Sequence, residues 1–208
     1  MIPARAAILA GGRASRMGGR NKALLEVDGR MILDRQVDAL RPLFPPGALA
    51  AVLAAAGDAG AAADDPEPFA ARGLTIVRDR ESGHGPLAGI AAALGWAGGA
   101  LLFALACDMP CVDTRVVEMI VSRAAASSAD IALATVHGRL QPLFACYSAR
   151  CGPLIERELA AGHRRASALS DAARAAGLVV DVIDGEEIRK LDPDLRCFTN
   201  FNSPTHSI

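Results

Sequence analysis

Aromatic side chains are scarce in this chain: six Phe, one Trp and one Tyr in 208 residues. That is thin for a protein that stacks single-stranded bases or lines a sugar groove with rings. Positive charge is not in excess either. The 22 basic and 23 acidic residues leave a formal charge of -1, which argues against a nucleic-acid partner. The five cysteines (Cys107, Cys111, Cys146, Cys151, Cys197) are odd in number and contain no CxxC, so they read as small hydrophobes in a reducing compartment rather than a zinc site or disulfide framework. No signal-peptide pattern opens the chain, and a cytoplasmic location is expected. Residues 82–107 carry no charge, long enough to span a bilayer, but Pro86, Gly89, Gly95, Gly98 and Gly99 interrupt them; a helix turning into a buried strand is expected, and no membrane association. Four scattered histidines share no metal-ligand spacing.

Short apolar runs alternate with helical patterns. Strands are expected at 6–9, 50–54, 74–77, 101–106, 131–136, 142–146 and 178–183, and helices at 31–43, 86–96, 114–126, 148–160 and 167–176. Strands apolar throughout suit a sheet covered on both faces, an α/β sandwich with a mostly parallel sheet. The runs 131–136 and 142–146 lie too close for a crossover helix, so a hairpin around Gly138 should make the sheet mixed. No segment is long enough to separate two domains, and one domain is expected.

The first strand runs into Leu9-Ala10-Gly11-Gly12-Arg13-Ala14-Ser15-Arg16-Met17-Gly18-Gly19-Arg20-Asn21-Lys22. Glycines after a buried strand let backbone N–H groups converge on an anion, so this is a candidate phosphate cradle, though neither a Walker loop nor a dinucleotide fingerprint. Lysine occurs only at 22 and 190, so a lysine at this point would arise by composition about one time in ten. A solvated basic turn is the plain alternative. Asp108, in Cys107-Asp108-Met109-Pro110, emerges where a buried strand ends and is a candidate Mg²⁺ ligand; the alternative is a turn cap. Asp79 is placed similarly after 74–77, and a second glycine-rich loop, Gly83-His84-Gly85-Pro86-Leu87-Ala88-Gly89, opens the next helix. The Arg164-Arg165 pair either meets an anionic ligand or ends a solvated helix.

Taken in order, Leu9-Ala-Gly-Gly, Arg16-Met17-Gly18-Gly19, Lys22-Ala-Leu-Leu, Gly85-Pro-Leu-Ala-Gly89, Cys107-Asp108-Met109-Pro110 and Asn200-Phe-Asn202-Ser-Pro204 resemble the molybdenum cofactor guanylyltransferases, part of a wider nucleotidyltransferase group with a Rossmann-like three-layer α/β/α fold. The resemblance implies one nucleotidyltransferase domain over 1–208 that transfers GMP from GTP to the phosphate of molybdenum-bound molybdopterin, with Mg²⁺ as cofactor and molybdenum cofactor delivery proteins as further partners. It implies nucleotide contacts at Leu9, Ala10, Gly11, Gly12, Lys22, Asp79 and Asp108, catalytic roles for Lys22, Arg16 and Asp108, metal binding at Asp108, and pterin-side contacts at Asn200, Asn202 and Arg164. The chain departs from the family pattern at Asn21, where Asp is frequent, at 52–56, which lack an expected Asn, and at Gln141-Pro142, where His-Pro is common. Transfer of a different nucleotide, such as cytidylylation of molybdopterin, and a binding homologue without turnover are the alternative readings.

Overall fold

The structure is a computed structural model and describes residues 4–11, 21–54, 65–79 and 85–201. Along the chain run β1 (Ala4–Leu9), the small hairpin β2 (Glu26–Val27) and β3 (Arg30–Met31), α1 (Ile32–Leu40), β4 (Leu49–Leu53), α2 (Glu67–Ala70), β5 (Thr75–Arg78), α3 (Gly85–Ala97), β6 (Leu101–Ala106), α4 (Thr114–Ser127), β7 (Ile131–Val136), β8 (Arg139–Tyr147), α5 (Gly152–Ala160), α6 (Leu169–Ala175), β9 (Val180–Asp184) and α7 (Gly185–Arg189). Seven strands form one sheet in the order β5-β4-β1-β6-β8-β7-β9, with β8 antiparallel to both neighbours and every other pair parallel. All seven expected strands and all five expected helices are present, and the sheet is mixed as the hairpin requires.

The strands are apolar on both sides because both sides are covered. Ala6 and Ile8 of β1, Ala51 and Leu53 of β4 and Phe103 and Leu105 of β6 pack toward α1, α4 and α7. Their alternates, Ala7 and Leu9, Ala50 and Val52, Leu102 and Ala104, pack toward α3, α5 and α6. This period of two splits the core into two layers around the sheet. The few aromatic residues are structural: all six phenylalanines and Tyr147 are buried, and Phe103 contacts both Phe44 and Phe144, which in turn meets Phe198. Only Trp96 is half-exposed, so the rings are not available as a stacking platform.

The hairpin is tighter than the gap of about five residues expected from the apolar runs. His137 and Gly138 alone form the turn, both at positive φ as a two-residue hairpin demands, and β8 begins at Arg139. The register then slips: Leu140 pairs with Thr135, but Leu133 pairs with Ala145, leaving extra residues around Pro142 on β8. Proline has no N–H for the ladder, and the Tyr147 hydroxyl donates to the Pro142 carbonyl at 2.6 Å, closing the bulge. α2, α7 and the β2–β3 hairpin were not expected; the two helices have four and five residues and the hairpin strands two each, too short for a periodic signal.

At the amino ends of β7 and β9 a buried carboxylate knots three segments together. Asp130 accepts hydrogen bonds from the Ser148 hydroxyl at 2.8 Å and the Val179 N–H at 2.9 Å, lies 3.2 Å from Arg150, and its carbonyl accepts from the Cys151 thiol. Removing its carboxylate leaves the part-buried Ser148 hydroxyl and Val179 N–H without their acceptor, which costs up to about 1–3 kcal/mol for each one that water does not reach. Asp130→Ala should therefore lower the thermal midpoint by several degrees while leaving turnover per folded molecule unchanged, because the six-residue β7 places Asp130 about 20 Å from the opposite sheet edge. Differential scanning calorimetry and an activity assay on the same preparation check both halves.

Candidate active site

The chain leaves β1 toward β4 and β5 on one side, then returns to lay β6 on the other. Connections that diverge from two adjacent parallel strands open a crevice at their carboxyl ends, where α/β sheets gather ligands. Leu9 and Ala106 are register partners, so Ala10-Gly11 and Cys107-Asp108 leave the sheet side by side. Across this crevice the Lys22 ammonium meets the Asp108 carboxylate at 2.8 Å, the two side chains being 29% and 19% exposed. A pair this open to water is worth about 0–1 kcal/mol of stability. Folding alone does not account for the chain bringing one of its two lysines to this point.

Each partner is held by its backbone. Asn21 is buried; its side-chain N–H donates to the Ala10 carbonyl at 3.0 Å, and its side-chain oxygen accepts from the Ala23 N–H at 3.0 Å, capping the 3₁₀ turn Lys22–Leu24. The amide thus uses both a donor and an acceptor, where a carboxylate would turn oxygen toward the Ala10 carbonyl. The departure from Asp at this position fits its surroundings. On the other strand the Asp108 carbonyl accepts from the Phe201 N–H at 2.7 Å, which docks the C-terminal segment, including the exposed Asn200, onto the turn that carries Asp108. Sequence reasoning did not anticipate this main-chain contact, since a backbone donor leaves no residue-type signal.

Leu9 and Ala10 are buried in the sheet, and the Ala10 N–H already donates to the Val52 carbonyl. Gly11 has no side chain for a steric reason: a Cβ there would stand 2.8 Å from the Ala54 nitrogen and 3.0 Å from the Leu53 carbonyl carbon, backbone atoms that cannot move aside cheaply. Ala54 itself is buried, and its carbonyl accepts from Arg78. Asp79 directly follows β5 and its N–H donates to the Leu53 carbonyl. With β4 and β1 between β5 and β6, Asp79 stands about 14 Å along the same edge from Asp108. The second glycine loop reaches this edge too: Gly85 opens α3 at a φ of +74°, where a Cβ would come within 2.8 Å of the Arg164 carbonyl, so Arg164 lies against the start of α3. Gly12, Arg16 and Asn202 lie outside the described residues.

Burial, reinforced by the Asp108 charge, pushes the Cys107 thiol up to about 12, so it stays protonated and is a poor nucleophile at neutral pH. Burial likewise pushes up the thiols of Cys146, Cys151 and Cys197. Among the described residues no three His, Cys, Asp or Glu side chains cluster to hold a metal. A hard carboxylate such as Asp108 at a crevice open to solvent suits Mg²⁺, which keeps most of its waters and takes one or two carboxylates together with substrate phosphates. Among the same residues no helix is long and apolar enough to cross a membrane; the charge-free run passes through α3 and β6 instead.

A family model for the MobA-like NTP transferase domain matches residues 6–176. A molybdenum cofactor guanylyltransferase of Pseudomonas putida is 34% identical over 203 residues, covering 97% of this chain and 94% of the relative. One from Desulfosudis oleivorans is 31% identical over 196 residues, covering 94% and 88%. Among solved structures, the molybdopterin-guanine dinucleotide biosynthesis protein A of Archaeoglobus fulgidus superposes with a TM-score of 0.74 at 24% identity, over 96% of this chain and 93% of that one, which supports the three-layer α/β/α fold. Family model, relatives and fold agree with the resemblance carried by the motifs: the chain is a nucleotidyltransferase and belongs to the MobA-like NTP transferase family.

Proposed function

We propose that this enzyme transfers GMP from GTP to the terminal phosphate of molybdenum-bound molybdopterin, releasing diphosphate. The observation that carries the reading is the Lys22–Asp108 pair at the β1/β6 crevice, a cation and a hard carboxylate held together in a chain that matches the MobA-like NTP transferase domain. In the reaction an oxygen of the acceptor phosphate attacks the α-phosphorus of GTP; the bond from that phosphorus to the bridging oxygen breaks, and the electron pair leaves with diphosphate. The incoming phosphate is the nucleophile, so no enzyme nucleophile is required, in keeping with the protonated Cys107. What the protein supplies is alignment and charge.

Lys22 neutralises charge on the transferring phosphates as a point cation, with Arg16 as a second positive group in the loop. Asp108 would hold Mg²⁺, which when bound would supply further neutralisation of phosphate charge. Gly11 lets the chain pass close to β4 and, with Leu9, Ala10 and Gly12, lines the nucleotide, while Asp79 meets it farther along the edge. Asn200, Asn202 and Arg164 are assigned to the pterin side of the reaction. A binding protein without turnover has no use for a metal carboxylate opposite a phosphate cation, so turnover is the better reading.

Ala54 favours keeping a second nucleotide specificity in view. With no side-chain donor where the family pattern places Asn, one base or ribose hydrogen bond is missing, worth about 0.5–1.5 kcal/mol, or a selectivity lower by roughly three- to tenfold. GTP should still lead CTP, ATP and UTP when diphosphate release is followed with each nucleotide in the presence of molybdenum-bound molybdopterin. A lead for CTP would instead make the enzyme a cytidylyltransferase.

Lys22→Ala should lower turnover by about 10²- to 10³-fold, the usual loss when one stabilising charge is removed from a transition state. Lys22→Arg should fall between, because its planar fork displaces the phosphate although the charge survives. Asp108→Ala should nearly abolish Mg²⁺-dependent turnover. All three should melt cooperatively near the parent temperature, since the pair contributes little to folding. Steady-state kinetics beside thermal melts test this, and Lys22→Ala turnover within about threefold of the parent would remove the phosphate role.

A further inference from the structure

One buried polar side chain next to the crevice has no part in the reaction as described. Gln36, on α1, is wholly buried. Its side-chain nitrogen donates to the Ala106 carbonyl at 2.8 Å and to the Met109 carbonyl at 2.9 Å, while its side-chain oxygen has no partner. An unpaired buried acceptor is destabilising, and an apolar residue would avoid that cost. An apolar residue would also leave two buried carbonyls without a donor. These carbonyls bracket Cys107 and Asp108, where β6 has ended and the sheet ladder no longer holds the chain.

The same helix face reaches the turn a second time. Ile32, one helical turn before Gln36, packs with Val27 and Phe201, and it is the Phe201 N–H that donates to the Asp108 carbonyl. The turn at 106–109 is therefore tied to α1 directly at both ends and, through Phe201, in the middle. We propose that Gln36 is the positioning residue of the Asp108 carboxylate, fixing where that group stands relative to Lys22. Built on the assignment of Asp108 as the divalent-cation ligand, this adds α1 to the machinery of the site. It follows that the metal affinity of the enzyme is set partly by a residue that touches neither metal nor substrate.

The test is Gln36→Met, which keeps length and apolar bulk and removes both donors. Mn²⁺ binding in the presence of GTP, read by electron paramagnetic resonance, should weaken by about tenfold, matching the loss of one to two hydrogen bonds. The kcat should fall at least as far, since a displacement near 1 Å can cost about 10²-fold, while KM for GTP changes less than about threefold. Hydrogen exchange at the Phe201 amide should quicken while the Ala10 amide, paired to β4, stays protected. Gln36→Glu, measured at pH 6 where a buried carboxyl stays protonated and donates one of the two bonds, should lie between Gln36→Met and the parent. Should Gln36→Met fail to fold, Gln36→Glu decides alone: parent Mn²⁺ affinity overturns the proposal, and an intermediate value supports it. In a folded Gln36→Met, parent Mn²⁺ affinity overturns the positioning role and leaves the Asp108 assignment standing. If the parent protein itself takes up no Mn²⁺ with GTP, the Asp108 assignment falls, and this proposal with it.

Discussion

Lys22 and Asp108 are 86 positions apart in sequence and 2.8 Å apart in space, and that meeting depends on β1 lying directly beside β6. Parallel neighbours that feed connections in opposite directions leave a gap no side chain of the core can fill. The loop after β1 and the turn after β6 emerge into it at one level, because Leu9 and Ala106 are register partners. The supporting contacts gather around this pair. Asn21 caps the turn that begins with Lys22, and the peptide of Phe201 meets the turn that carries Asp108. The rest of the molecule supplies rigidity: a sheet sealed on both faces keeps the two emerging segments from drifting apart.

The central sheet was largely legible from sequence because strands such as β4 and β6 are continuous apolar runs, and a run apolar on both sides has few alternatives once helices alternate with it. Helix α1 stood out for its amphipathic spacing, and α3 for beginning at a Gly-Pro pair. What escaped were elements too short to show a period, such as the β2–β3 hairpin and α7, and the register slip on β8. That slip depends on a tyrosine five residues beyond the proline it supports, and no local pattern encodes such a contact.

The site was legible to a different degree. Gly11 and Asp108 could be named as candidates because they stand just past strand ends, and Lys22 because it ends the glycine-rich loop in a chain with only two lysines. Asn21 looked like the loss of a charge; in place, its amide joins the Ala10 carbonyl to the Ala23 N–H, a task that needs a donor and an acceptor on one side chain. Gln36 had no signature at all, being one polar residue on the buried face of a helix whose partners lie 70 and 73 positions away. Residues that bind can be guessed from their type, whereas residues that place them are recognised only when the fold brings their partners near.

The central claim is that the Lys22–Asp108 contact opens when substrate binds, Lys22 turning to the nucleotide phosphates and Asp108 to a divalent cation. The most direct measurement is a crystal structure with Mn²⁺ and a GTP analogue whose α,β-bridging oxygen is replaced by carbon, the metal located by its anomalous scattering. The account predicts a manganese peak bonded to an Asp108 oxygen at about 2.0–2.3 Å, with the α-phosphate within hydrogen-bond reach of the Lys22 ammonium and the base lying toward Asp79. A manganese ion bound away from Asp108, or a triphosphate seated elsewhere on the sheet edge with the Lys22–Asp108 pair undisturbed, would contradict it.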